Sequence, residues 1–549
     1  MGKWMRLFGL IGSVLAIATT FSGSAGGQTV GQTVGLAVEQ VARGIVFEDL
    51  DGNRRFSAAD RPMPGIRVSN GLDIVLTDND GRYELPIEPG GAVFVIKPQG
   101  FMTPVNELNL PRFFYMHKPD GSPKLRFAGS EPTGPLPQSI DFPLRAQEEP
   151  NLFEVVLFGD PQPRNVTEVD YVAQDVVRDL IGSQSAFGVT LGDIVFDDLS
   201  VMGPLNETVA LIGIPWYNVI GNHDVNTDVK TRELINETFE NHYGPSHYSF
   251  DYGQVHFVVL DNIGWGEVAD KPGTFQFQAE FGARQREFLR RDLEIIPKEQ
   301  MVVLLMHVPL LGTADRLEMF RLIEDRPLCI SLSAHTHNHT HVFVDESNGW
   351  AGQQPHHHIV NVTVSGNWWS GKKDERGIPH TMMSDGGPNG HTVLRFDGKK
   401  YELDYHAAGV EAGQQLRIEL PEQLSADAVS GLAMFVNVFN GSSRSTVEYR
   451  IDKSEAWTPM VKVEQNDPSY VALAEEDKLH AIFGGTRMGG ANLSSHLWRV
   501  ELAGALSPGV HLVEARTTDM HGRTFLGQRS IRVSEGKAEA VKPAVTGSK

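Results

Sequence analysis

Five apolar runs in the middle of the chain each end on residues that bind cations or carry protons, and this recurrence leaves few folds open. Leu152 to Phe158 runs into Gly159-Asp160-Pro161-Gln162, and Phe187 to Leu191 into Gly192-Asp193. Trp216 to Ile220 leads to Gly221-Asn222-His223-Asp224, Met301 to Met306 leads to His307, and Ile330 to Ser333 leads to Ala334-His335-Thr336-His337. Short continuous apolar runs bounded by turn residues read as strands covered on both faces, the signature of a parallel sheet. Amphipathic stretches from Ala279 to Ile296 and from Thr313 to Asp325 supply the helices that such a layered α/β domain needs. Loops leaving one edge of such a sheet converge on a crevice, so these oxygen and imidazole donors are expected to meet in space. Donors in that number describe a site for two metal ions.

The rest of the chain has a different texture. A length of 549 residues allows about three or four domains. From Gly44 to Pro98, short β-type runs alternate with Gly, Asn, Asp and Pro turns, which predicts a small sandwich over residues 38–118. Prolines at 119, 123, 132, 135, 137, 143 and 150 resist both helix and central strand, so 119–150 reads as a linker or an extended wrap. The α/β unit then occupies 151–406, and short strands return over 412–534 as a second sandwich. A tail from 535 to 549, rich in Lys, Ala and Gly, reads as disordered.

At the amino end, Lys3 and Arg6 precede an uncharged run from Leu7 to Phe21, and Gly23 and Ala25 fit a cleavage site. Residues 1–25 are therefore expected to be a secretory signal peptide, which places the protein outside the cell or in a periplasm. The run is too short to span a bilayer at about 20 residues, so no membrane span is expected after cleavage. The single cysteine, Cys329, lies in an apolar run and reads as a buried thiol. With 48 basic against 69 acidic residues the net charge is -21, which disfavours nucleic acid and anionic lipid as partners.

The five words, in this order, resemble the calcineurin-like metallophosphoesterase superfamily, whose pattern runs D-x-H, G-D, G-N-H-[DE], H and G-H-x-H. The resemblance covers about Asn151 to His406. The layout with β domains before and after it resembles bacterial secreted members. It implies a four-layer α/β sandwich between two small β-sandwiches. It implies one metal held by Asp160, Gln162, Asp193 and His337, and a second by Asp193, Asn222, His307 and His335, with Asp193 bridging. His223 is implied as the proton donor to the leaving group, with Asp224 orienting its imidazole. Gln162 stands where the superfamily usually carries histidine, and its neutral, hard oxygen biases the site towards Mn, Fe or Mg over Zn. Ala334 replaces the usual glycine before His-x-His.

Charge explains why such a site would hydrolyse a phosphate ester. Two divalent ions bring four positive charges and only Asp160 and Asp193 offset them, leaving about +2 for an anionic phosphate and for a metal-bridging hydroxide that attacks it in line. A phosphate ester is thus the expected substrate, mono- or diester. The rival expectation is an exported binding or surface-attachment protein whose phosphoesterase-like domain has decayed, with Gln162 as the mark of it.

Other residues carry alternatives. Arg164 reaches a phosphate oxygen or forms a surface salt bridge. Trp368 and Trp369 line a substrate cleft or pack the interior. Asp197 and Asp198 read as supporting or helix-capping residues, His339 and His341 as a solvated strand face, and His356 to His358 as a polar loop. Asp49, Asp51, Asn53 and Asp60 occupy positions 1, 3, 5 and 12 of a calcium-type loop, but Gly52 falls at position 4 rather than 6 and no helices flank it, which favours a simple acidic turn over a calcium site.

Overall fold

A computed structural model of the chain describes residues 40–379, 381–411, 413–479 and 486–535. The predicted signal peptide 1–25 lies outside the described residues, as does the predicted tail beyond residue 535. Two sheets form the centre. One orders its strands Trp216–Val219, Phe187–Leu191, Leu152–Phe158, Gly390–Asp397 and Lys400–Ala407, the first three parallel. The other runs Tyr248–Tyr252, Val255–Val259, Met301–Leu305, Cys329–Ser333, His356–Val360 and Thr340–Val344, with its inner four strands parallel.

Alternation along Leu152–Phe158 shows the layering directly. Val155 and Leu157 join the core shared with the second sheet, whereas Val156 and Phe158 pack with Val169, Val172 and Leu205 of the helices Val166–Asp175 and Met202–Ala210. Phe288 and Leu293 of Ala283–Ile295, with Phe320 and Ile323 of Arg316–Ile323, belong to the core of the second sheet. The order is helix, sheet, sheet, helix. Among the described residues no helix is long and apolar enough to cross a membrane.

The amino-terminal strands build two further sheets, and their core is not separate. Phe94 meets Phe288 edge-on at 6.1 Å and Phe113 lies 4.7 Å from Tyr248. The proline-rich stretch 119–150 is not merely a connector: Phe142–Ala146 pairs in parallel with Gln40–Glu48. Pro143 takes a place in that short strand, where it forgoes a ladder donor. A buried ion cluster clamps the two parts: Arg67 faces Asp251 and Asp292, and His256 sits between the same two carboxylates at 2.7 and 2.9 Å. Burial alone would lower His256, but Asp292 and Asp251 outweigh it and hold the imidazole up at about 9. The stability this charge contributes is present below the unfolded value near 6.5 and is lost as pH rises towards 9. Asp292→Ala leaves Arg67 and His256 undercompensated and is expected to cost about 3–5 kcal/mol, read from the urea midpoint.

The carboxy-terminal part is a sandwich of two sheets around Met434, Val436, Trp498, Val513 and Ile531. A helix that the strand pattern does not announce, Pro468–Leu479, interrupts it. The Asp467 carboxylate accepts from the backbone N–H of Tyr470 at 3.0 Å, and Pro468 takes the first helical position, where no donor is needed. Ala, Glu and Lys then favour the helix.

This part also covers the histidines expected at the surface. His339 and His341 are buried, and both rings contact Asn440 Oδ1, at 2.9 and 2.8 Å. His356 to His358 form a buried strand rather than a polar loop, with Ser331 Oγ between His356 and His358 at 2.7 Å each. Imidazole bodies pack like apolar groups where most of their nitrogens find partners, which alternation alone does not reveal; His339 Nδ1 is buried without one. Cys329 is buried, and burial pushes its thiol up to about 12.

Candidate metal centre and cleft

The parallel strands of both sheets deliver their terminal residues to one edge. From the first sheet come Asp160 and Gln162 after Leu152–Phe158, Asp193 after Phe187–Leu191, and Asn222 to Asp224 after Trp216–Val219. From the second come His307 after Met301–Leu305, and His335 and His337 after Cys329–Ser333. Two glycines make the approach possible. A Cβ on Gly192, at φ 86°, would sit 2.5 Å from the His307 ring, and one on Gly221 would sit 2.0 Å from the Asp193 backbone nitrogen. The Ala334 methyl is accommodated because it faces Gly159, where a Cβ would approach it to 3.2 Å.

Backbone strain gathers at the same edge. Asp160, Gln162, Asp193, His335 and His337 all hold φ between 40° and 74°, a region that non-glycine residues avoid. Such conformations persist where the surroundings over-determine them, and functional sites are where they cluster.

Asp193, His307 and His335 bring ligand atoms within 4.8 Å of one another. His307 Nε2 lies 3.2 Å from Asp193 Oδ1, 3.1 Å from Asn222 Oδ1 and 3.1 Å from His335 Nδ1. Its other nitrogen, Nδ1, is 2.9 Å from the Leu191 carbonyl and donates there; burial pulls this imidazole down, but the Asp193 charge outweighs it and holds it up at about 9, so without a cation Nε2 carries a proton towards these acceptor atoms and with one it turns a lone pair to the ion. A cation satisfies all of them at once. On the other side, Gln162 Nε2 donates to Asp193 Oδ2 at 2.6 Å while the buried Gln162 Oε1 has no hydrogen-bond partner. His337 Nε2 lies 3.8 Å from Asp160 Oδ1, and its Nδ1 is fixed 2.6 Å from the Gly366 carbonyl.

Electrostatics follow from burial. Asp160 is pushed up to about 8 by burial and by the charge of Asp193. Burial also pushes Asp193 upward, but His307 and His223 outweigh it and the net shift is downward. Burial and the neighbouring imidazoles hold His335 and His337 down at about 4, so both are neutral donors near pH 7.

His223 stands at the rim, its Nε2 4.0 Å from Asp193 Oδ2 and its backbone N–H on Asp193 Oδ1. Its partner is not the expected Asp224. Asp224 is fully buried and accepts from the backbone N–H groups of Ile194, Val195 and Gly221, so it builds the loop instead of orienting the imidazole. Asp197 does the orienting, 2.7 Å from His223 Nδ1. Burial pulls the His223 imidazole down, but the Asp197 hydrogen bond and the charges of Asp193 and Asp197 raise it on balance. Asp198 caps the turn that follows. The residue adjacent in sequence is the natural guess for a partner, whereas Asp197, at φ 59°, reaches His223 only because its loop turns back.

The other candidates fall into place around this edge. Arg164 pairs with Glu168 at 3.1 Å and donates to the Trp368 carbonyl at 2.9 Å, so its charge is already engaged. Trp369 is buried and donates to the Pro161 carbonyl, an interior role, while half-buried Trp368 lies 4.1 Å from the His337 ring. Phe196 and Phe277, which no motif marks, stack on His223 and lie beside His335. Far from this edge, Asp49, Asp51 and Asp60 gather within 4.8 Å, but their oxygens accept from Gly52, Arg54, Asn53, Leu50 and Ser57, and the Asn53 amide turns to Asp51.

Comparison with known proteins adds the following. Residues 358–525 match the family described as the C terminal of Calcineurin-like phosphoesterase, and residues 50–130 that described as the N terminal of Calcineurin-like phosphoesterase. Among solved structures the chain is similar to a dimetal phosphatase from Danio rerio, at 14% identity over 45% of this chain and 93% of that one, with a TM-score of 0.32. It is similar to a purple acid phosphatase from yellow lupin (Lupinus luteus) seeds at 13% identity, covering 62% of this chain and 66% of that one, with a TM-score of 0.34. Overlaps this shallow carry no argument about the chain. No curated protein matches it.

Proposed function

We propose a catalytic arrangement that starts from one premise: the chain belongs to the calcineurin-like metallophosphoesterases and is therefore a metal-dependent phosphoric ester hydrolase. In this arrangement Asp160, Gln162, Asp193 and His337 hold one divalent ion, and Asp193, Asn222, His307 and His335 hold a second. The observation that carries it is the convergence of Asp193, Asn222 and His335 acceptor atoms on His307 Nε2. The unpartnered Gln162 Oε1 supports the amide as a ligand on the opposite side, and its neutrality favours Mn, Fe or Mg. When bound, two such ions supply Lewis-acid polarisation of the phosphoryl group and activate water.

The chain's own groups do the rest. His223, its imidazole oriented and raised by Asp197, delivers its proton to the departing alcohol oxygen. Asp224 keeps the loops of Asp193 and His223 in register through its three backbone hydrogen bonds. Neutral His, Asn and Gln donors leave the site with surplus positive charge for the substrate anion. The carboxy-terminal sandwich braces a loop of this edge through His496, which holds Asp385 against the His339 backbone N–H. Residues 1–25 act as an export signal, with a secreted or periplasmic chain as the result.

Elemental analysis of the full purified chain is expected to find two divalent ions, with hydrolysis of an aryl phosphate mono- or diester restored by Mn²⁺ or Fe²⁺ after chelation and recharging. A chain that binds one ion or none, or that binds two and hydrolyses neither ester class, would overturn the arrangement.

A further inference from the structure

Three half-buried aromatic rings pack on imidazoles of the proposed site, each on a different one. Phe196 stacks on His223 with centroids 4.5 Å apart and planes 19° from parallel. Trp368 covers His337 at 4.1 Å and 33°, and Phe277 lies 5.9 Å from His335. They come from separate places in the chain: the loop after Phe187–Leu191, the segment after His356–Val360, and the strand Phe275–Ala279. Arg164 ties two of them together, its guanidinium 4.9 Å from the Phe196 ring and bonded to the Trp368 carbonyl. Trp368 holds φ 56°, a strained value that persists where the surroundings fix it. Its neighbour Trp369 is buried and serves the interior, so the two tryptophans differ in what they face.

Charge sharpens the reading. Among the described residues the guanidinium beside these rings, that of Arg164, pairs with Glu168, and the carboxylate of Asp197, with 55% of its side chain exposed, stands beside His223. A leaving alcohol carrying a second anionic group would meet that carboxylate. An uncharged planar ring meets stacking partners instead.

We infer that the alcohol portion of the substrate is an uncharged planar ring system of the aryl or benzyl type, bound among Phe196, Trp368 and Phe277. This rests on the phosphoester-hydrolase arrangement above, with the ring leaving from the His223 side. Phe196 and Trp368 are then specificity-determining residues.

The test compares benzyl, cyclohexylmethyl and ethyl phosphates, and their methyl diesters, on the full chain charged with Mn²⁺. These alcohols have similar acidity, so differences in KM report the fit of the group. Benzyl is expected to have a KM about 3- to 10-fold below ethyl. Phe196→Leu and Trp368→Leu, each separately, are expected to bring the benzyl-to-ethyl ratio towards one. Calorimetric binding of benzylphosphonate against ethylphosphonate gives the same ratio without turnover. Equal KM values for benzyl and ethyl, a cyclohexylmethyl ester as good as benzyl, or a ratio unmoved in both variants would overturn the inference. Phosphonate binding that prefers benzyl with no ester hydrolysed would keep the ring subsite and remove the hydrolytic arrangement instead.

Discussion

Asp193→Asn is expected to lower kcat/KM by about 10³-fold or more and to reduce bound metal below two ions per chain. Asp193 joins both halves of the site: it contacts His307, accepts from Gln162 and from the His223 backbone, and stands at φ 49°. Losing one negative charge raises the surplus on the ions and weakens the hold on both. The apoprotein should lose stability too. Against burial, His307 and His223 hold the Asp193 carboxyl below the usual carboxylate range, so its removal leaves them undercompensated and the metal-free variant is expected to melt below metal-free wild type. The metal role is read from the rise in melting temperature on adding Mn²⁺, expected to be smaller in the variant; an equal rise, or turnover within tenfold of wild type, would remove its bridging role.

His223→Gln is the second large effect, a loss of about 10²- to 10⁴-fold in kcat with metal content unchanged. The loss should shrink for a p-nitrophenyl ester, whose leaving group departs as a stable anion without a proton. Asp197→Asn gives the finer result. Asp197 holds the imidazole above its ordinary range, and a general acid stops working as pH rises through its pKa. Without that carboxylate the alkaline limb of the pH profile should move to lower pH. Asp224→Asn should move the limb less, since Asp224 bonds backbone N–H groups and acts on the imidazole only through space, as the smallest of the charges that raise it. Were the limb to move only in the Asp224 variant, the orienting role would revert to the residue the sequence suggests.

That exchange of Asp224 for Asp197 shows where the sequence is legible and where it stops. The strand-end donors could be read because each word sits where an apolar run breaks, and the glycines of Gly192-Asp193 and Gly221-Asn222 mark close backbone approach. The partner of His223 could not, because it depends on how a loop folds back, which has no period. The buried histidines of His356–Val360 were misread for a related reason: their burial comes from strands and a neighbouring sandwich far away in sequence, while polarity is a local signal. The helix Pro468–Leu479 has a local mark in Asp467-Pro468, but strand texture dominates the pattern on both sides.

One contact of the carboxy-terminal sandwich reaches back into the site. Asp385 accepts the backbone N–H of His339, two residues beyond His337, and is itself held by His496 at 3.0 Å, while Ser384 Oγ bonds the His337 carbonyl. His496 follows Asp385 by 111 residues, so a nascent polypeptide that has already closed its central sheets still lacks this latch. Turnover therefore reports that this later segment is docked, and a single proteolytic nick between Asp385 and His496 should weaken a site whose own donors are all intact.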